Sequence, residues 1–172
     1  MKRLLMLAAL SPAAVLMFAS PGTAQAPGDR AFTERVTLSV TPTRDRTRPY
    51  TFRARGRIVP PGRFCNAGEK PSLGAGNCVP IVCLPGATDA RYCTRPGLGV
   101  ICSGKVAVRY QKNGVTISNR LATLRPDCSY RKTTTFRTRL RLRRGRFTVR
   151  ARFAGNAVLL PRTSPTRRVR AG

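Results

Sequence analysis

An all-β sandwich is the fold class predicted for this chain, and three observations predict it. Apolar and charged residues alternate with period two in segment after segment. Proline, glycine and one Asn-Gly pair punctuate those segments. No sustained 3.6-residue period follows the first 26 residues. Alternation at period two turns one face of a strand to a core and the other to water.

Residues 1–26 read as a secretory signal peptide. Lys2 and Arg3 supply the positive end, Leu4 to Phe18 the apolar run, and Ala24-Gln25-Ala26 the small-x-small cleavage site. The run is broken at Ser11-Pro12 and falls short of the ~20 residues needed to span a bilayer. The expected mature chain begins at Pro27, forms one domain over 27–172, and carries no transmembrane segment. Loss of Lys2 and Arg3 takes the formal charge from +27 to +25.

The first strand is read at Val36 to Thr41, where Val36, Leu38 and Val40 alternate with Thr37, Ser39 and Thr41. Pro42 and a charged stretch end it. A second strand runs from Tyr50 to Ile58, with Phe52 and Ala54 inward and Arg53, Arg55 and Arg57 outward, closed by Pro60-Pro61.

Residues 61–101 differ. Seven glycines, five prolines and four cysteines fall in this segment, without a clear period. It is read as a long loop held by disulfides, because a structureless loop of this length in a compact domain is otherwise functional or flexible. Its formal charge is only +2, so +23 of the mature charge lies elsewhere.

Strand signals then resume. Val106, Val108 and Tyr110 alternate with Lys105, Ala107 and Arg109. Asn113-Gly114 marks a tight hairpin, since both residues tolerate positive φ, and Val115 and Ile117 begin the return. Phe136, Leu140 and Leu142 alternate with Arg137, Arg139 and Arg141 in a strand read over 133–143. After Gly145, Phe147, Val149, Ala151 and Phe153 alternate with Arg150 and Arg152. A last strand covers about Thr166 to Ala171.

The C-terminal half resembles the bacterial immunoglobulin-like repeat domains of secreted and surface proteins. The stretch Gly145-Arg146-Phe147-Thr148-Val149-Arg150-Ala151-Arg152-Phe153 carries the resemblance, followed by Ala154-Gly155-Asn156 and the corner Pro161-Arg162-Thr163-Ser164. Val36 to Pro42 and Tyr50 to Ile58 look like that family's first two strands. The resemblance covers about 34–60 and 102–172, roughly one such domain. It implies an immunoglobulin-like β-sandwich of about seven strands, with the Cys-rich segment as an insertion. It also implies an adhesive, spacer or carbohydrate-contacting role, and no reaction. There is no tryptophan in the chain and no cysteine on the second or sixth strand, so antibody-type packing is not expected.

Six cysteines in an exported chain point to three disulfides. Cys102 and Cys128 flank the hairpin and are expected to pair. Cys65, Cys78, Cys83 and Cys93 then pair among themselves in one of three ways. Bridges over loops of this size add ~2–4 kcal/mol by restricting the unfolded chain. No Cys-x-x-Cys pair and no histidine is present, so neither a metal site nor a cofactor is expected.

Lysine and arginine number 33 against 6 aspartate and glutamate residues. Without histidine or a paired-carboxylate motif, catalysis is not expected. Ser103-Gly104-Lys105 starts a strand and is not read as a Ser–Lys pair. Leu160 to Ser164 lacks the final glycine and apolar tail of a sorting signal.

Two binding surfaces are candidates. In the immunoglobulin-like order, Arg53, Arg55, Arg57, Arg137, Arg139 and Arg141 pave one outer face, and Arg150 and Arg152 pave part of the other. A polyanion across such faces would relieve repulsion between neighbouring strands and release counterions. The competing account is a charged face that only keeps the sheets soluble. The second candidate is an apolar partner surface within the insertion, at Val79, Ile81, Val82 and Leu84, against which stands packing of those residues on the sandwich. The expected function is therefore a secreted or envelope-located, non-catalytic binding, adhesive or structural module. Its alternative is a cationic protein acting on envelope polymers, nucleic acid or membrane surfaces. The partner is a protein or an anionic polysaccharide or envelope polymer. Sequence-specific nucleic-acid recognition is not expected, because outward aromatics for stacking are absent.

Overall fold

A computed structural model describes residues 30–66, 68–83, 93–137 and 145–172. The proposed signal segment lies outside the described residues, as do Leu84, Arg139 and Arg141.

The chain is all-β, with two principal sheets enclosing one hydrophobic core. In chain order the strands are β1 (Arg35–Val36), β2 (Ser39–Thr41), β3 (Arg44–Asp45), β4 (Tyr50–Val59), β5 (Val82–Cys83) and β6 (Cys93–Thr94). A four-residue helix, α1 (Leu98–Ile101), precedes β7 (Lys105–Lys112), β8 (Val115–Thr123), β9 (Ser129–Phe136), β10 (Gly145–Phe153), β11 (Arg162–Thr163) and β12 (Arg167–Ala171). Twelve strands are thus described, against the seven or so expected, because several are two- or three-residue pieces where the chain changes partner.

The first sheet is built on β4. β1 and β2 lie end to end along one of its edges and β9 along the other, all antiparallel. The second sheet runs β3, β12, β10, β7, β8, with β11 also on β10. The opening segment therefore serves both sheets. It pairs with β4, turns at the cis Thr41-Pro42 bond, and re-pairs in parallel with β12 through Arg44 and Asp45.

The first expected strand is two pieces, and Thr37 occupies the gap. Its N–H donates to the Arg57 carbonyl at 2.9 Å, and its hydroxyl accepts from the Arg57 N–H at 2.7 Å. The Thr37 carbonyl accepts the buried Tyr130 hydroxyl at 2.5 Å. Across from Tyr130 on β4 stands Gly56. A Cβ there would overlap the Thr37 carbonyl oxygen and lie 2.6 Å from the Tyr130 hydroxyl. Only glycine fits this approach of two backbones.

Alternation holds on β4 and β10, whereas residues 138–143 of the strand read over 133–143 lie outside the described residues. On β4, Tyr50, Phe52, Ala54 and Ile58 are buried while Arg53, Arg55 and Arg57 are exposed. On β10, Phe147, Val149, Ala151 and Phe153 are buried while Arg150 and Arg152 are exposed. Phe52, Tyr110 and Phe136 pack as an aromatic cluster between the sheets, Tyr110 and Phe136 edge to face at 5.4 Å. Asn113 and Gly114 both take positive φ at the β7–β8 hairpin.

The described parts of the insertion are tied by disulfides and hydrogen bonds. Cys65 is bonded to Cys78. Cys93 is also disulfide-bonded, and its register partner across the β5–β6 ribbon is Cys83. Asn77 ties the segment to the chain start, accepting from the Phe32 N–H at 3.0 Å and donating to the Phe32 carbonyl at 2.7 Å. Cys102 and Cys128 are bonded, joining the base of β7 to the turn before β9. Asn156, after β10, anchors α1. Its amide nitrogen donates to the carbonyls of Ile101 and Ser103 at 2.9 and 3.1 Å, and its oxygen accepts from the Val158 and Leu159 N–H groups at 2.9 and 2.7 Å. Ser164 closes the corner before β12 by accepting from the Ala151 N–H at 2.9 Å.

Candidate functional site

Neighbouring outward positions on an antiparallel strand recur every ~6.8 Å, and β4 places an arginine at three in succession. Arg53 lies between Thr41 on β2 and Thr133 on β9, and Arg55 between Ser39 and Arg131. Arg57 stands opposite Ser129 and donates to the Asp127 carbonyl at 3.0 Å. Around them is a groove of about 1130 Å³ across β2, β4 and β9. Seven of its fifteen lining residues are cationic and none is a carboxylate. Arg131 and Lys132 come from β9, Arg125 from the turn before it, and Arg167 from the start of β12. Arg167 reaches across from the second sheet, donating to the Leu38 carbonyl at 2.9 Å. Hydroxyls of Thr37, Ser39, Ser129 and Thr133 sit between the cations.

The carboxylates near this charge are occupied elsewhere. Asp45 accepts from the N–H groups of Thr47 and Thr51, at 3.1 and 2.7 Å, and shapes the approach to β4. Asp127 accepts from the Ser129 N–H at 3.0 Å. Hydrogen bonds from Ser129, side chain first, hold the Asp127 carboxyl below its ordinary range, helped by Arg57 and Arg125. Among the described residues there is one ion pair, Arg63 with Glu69 at 2.6 Å, and it lies in the insertion. Asp127 thus offsets part of the charge at the Arg57 and Arg125 end, and no groove cation forms a direct ion pair among the described residues.

Cations also pave the outer face of the second sheet. Arg150 on β10 stands directly opposite Arg109 on β7. Arg146, Arg170 and Arg44 follow one another across β10, β12 and β3. All five are exposed. Like charges directly opposed on neighbouring strands are destabilising.

The expected residues divide between these places. Arg53, Arg55 and Arg57 share the groove, while Arg150 and Arg152 lie on the other sheet. Arg137 is exposed just past β9, outside the groove lining. Arg125, Arg131, Lys132 and Arg167 are additions. Arg131 and Lys132 escaped notice because β9 starts at Ser129, four residues before the expected boundary at 133, where a run of threonines blurs the alternation.

Of the two accounts of the insertion's apolar residues, packing on the sandwich holds for Val79. Val79 is 2% exposed and belongs to the hydrophobic core. The Cys65–Cys78 bridge and hydrogen bonds from Cys65 N–H to Val79 and from Val79 N–H to Arg63, each 2.9 Å, draw it inward. Ile81 is half-buried, Val82 lies in β5, and Leu84 is outside the described residues. Among the described residues, the exposed large apolar side chains of the segment are Leu73, Leu98 and Val100.

Among the described residues no cluster of metal-ligating side chains occurs, and no helix is long and apolar enough to cross a membrane. Neither protein-family models, nor curated proteins, nor solved structures provide a match to the chain.

Proposed function

We propose that this chain is an exported, non-catalytic, immunoglobulin-like module that binds extended anionic polymers through the groove on β2, β4 and β9. The observation that carries the reading is the row Arg53, Arg55, Arg57 in a groove with seven cations and no carboxylate. Guanidinium forks bind phosphate and carboxylate oxygens in bidentate fashion. The row's repeat suits a chain bearing one anionic group every few backbone bonds. Neutralising it by a polymer releases condensed counterions, which gives affinity without base or sugar recognition. The immunoglobulin-like assignment draws support from the strand order, with one opening segment shared between both sheets. The absence of a free cysteine among the described residues fits an oxidising compartment. The non-catalytic reading draws support from a chain without histidine and from three carboxylates engaged with backbone N–H groups.

The test is affinity for oligothymidylate and for oligogalacturonate over a salt series. Binding should weaken steeply with salt, and R53Q/R55Q/R57Q should flatten the log–log slope by roughly two to three on the phosphodiester. Preference between the probes identifies phosphate or carboxylate as the natural group. A triple variant with unchanged affinity and slope on both probes would refute the assignment.

A further inference from the structure

The two cationic surfaces face opposite ways. The inner faces of β4 and β10 both bury their apolar residues in the same core, so their outer faces look outward on opposite sides of two layers ~10 Å apart. One side carries Arg53, Arg55 and Arg57. The other carries Arg109 opposite Arg150, and Arg146, Arg170 and Arg44 in a continuous row. Neither cluster is relieved by an ion pair among the described residues.

We infer that the module is bivalent and bridges two anionic chains, one on each face. This rests on the polyanion-binding reading and extends it from coating to cross-linking. A short anionic chain seated along β4 runs ~14 Å between Arg53 and Arg57 and cannot also contact Arg150 without turning around the sandwich edge. The second face therefore stays free for a second chain. Each face relieves its own cross-strand repulsion by capturing a polymer, so the two sites fill independently. On a long polymer the second contact becomes a link between chains, or between distant parts of one chain, at the effective concentration set by the intervening length.

Two variants separate the faces: R53Q/R55Q/R57Q and R109Q/R150Q/R170Q. All six positions are exposed, and thermal unfolding confirms that each variant is folded. The first measurement is stoichiometry by titration calorimetry at low salt, using oligothymidylate of about eight nucleotides, within the site sizes common for single strands. The expectation is two oligonucleotides per wild-type molecule and one per variant. The second is light scattering with long polythymidylate. Wild type should scatter strongly near charge balance and clear at excess protein, whereas each variant binds without scattering. An equimolar mixture of the two variants should also stay clear, because bridging needs both faces on one molecule. Wild-type binding at one to one overturns bivalency while leaving the groove intact. Strong scattering from either variant or from the mixture overturns it too. Absence of binding by wild type overturns the underlying reading along with it.

Discussion

Gly56→Ala should cost this domain about 2–4 kcal/mol. The added methyl would overlap the Thr37 carbonyl oxygen and meet the Tyr130 hydroxyl at 2.6 Å. The first is backbone, fixed by Thr37's own bonds to Arg57, so a side-chain rotation cannot relieve it. Overpacking of this kind costs ~1–3 kcal/mol, and parting Tyr130 from Thr37 leaves a buried hydroxyl unsatisfied at a further ~1–3 kcal/mol. Against these stands the ~0.5–1 kcal/mol that alanine recovers over glycine in a strand. The assay is urea unfolding, with a lowered midpoint and an unchanged m-value. Tyr130→Phe provides the control: it removes the bond but not the close approach, and costs about 1–2 kcal/mol. In the Tyr130→Phe background the alanine should cost measurably less than in wild type, because one of its two clashes is gone. A Gly56→Ala protein within ~0.5 kcal/mol of wild type would refute the argument that the approach of β4 to Thr37 requires glycine.

Other outcomes follow from the same contacts. Asn156→Ala should destabilise by about 2–3 kcal/mol, since one side chain serves two carbonyls near α1 and two N–H groups in its own turn; Asn156→Asp, which keeps only the acceptors, should recover part of this in thermal unfolding. Replacing both Cys102 and Cys128 by alanine should cost about 3.5 kcal/mol by loop-entropy arithmetic for 26 residues, read as a lowered denaturation midpoint without loss of β circular dichroism. Glu69 is held at about 2, first by its hydrogen bond from Arg63 and then by the Asn66 N–H. Its folded value lies below the unfolded one, so its contribution to the insertion is complete above about pH 4.5 and fades as pH falls through about 2. A carboxyl titration by NMR should place its midpoint well below that of a free glutamate, and Arg63→Gln should raise it, short of the free value while the Asn66 N–H still donates.

Legibility in the sequence followed the range of the forces involved. On β4 and β10 the register of apolar and arginine residues is local, and the same alternation that a reader sees sets which side is buried. The groove was only half visible for that reason. Its central row lies on one strand, while Arg125, Arg131 and Arg167 arrive from a turn, a neighbouring strand and the other sheet. The insertion was opaque because its order comes from distant partners. Asn77 bonds to Phe32 across 45 residues, and Cys65 closes on Cys78. The cysteines announce that the window is stapled, but nothing in it announces which cysteines pair or that Asn77 reaches Phe32. Val79 shows the consequence: the sequence left it between a partner surface and packing, and with the bridge beside it the residue lies in the core.

The occupied carboxylates have a bearing on how such a protein could be controlled. Asp45 and Asp127 are committed to backbone N–H groups, the chain has no histidine, and burial raises the phenols of Tyr110 and Tyr130. Histidine is the side chain whose ordinary value falls between about pH 5 and pH 8, and the chain has none. On the proposed reading, mild acidification finds no histidine through which to switch the grip on an anionic chain. On that reading release comes from dissolved ions or a competing polyanion, so binding follows salinity rather than acidity.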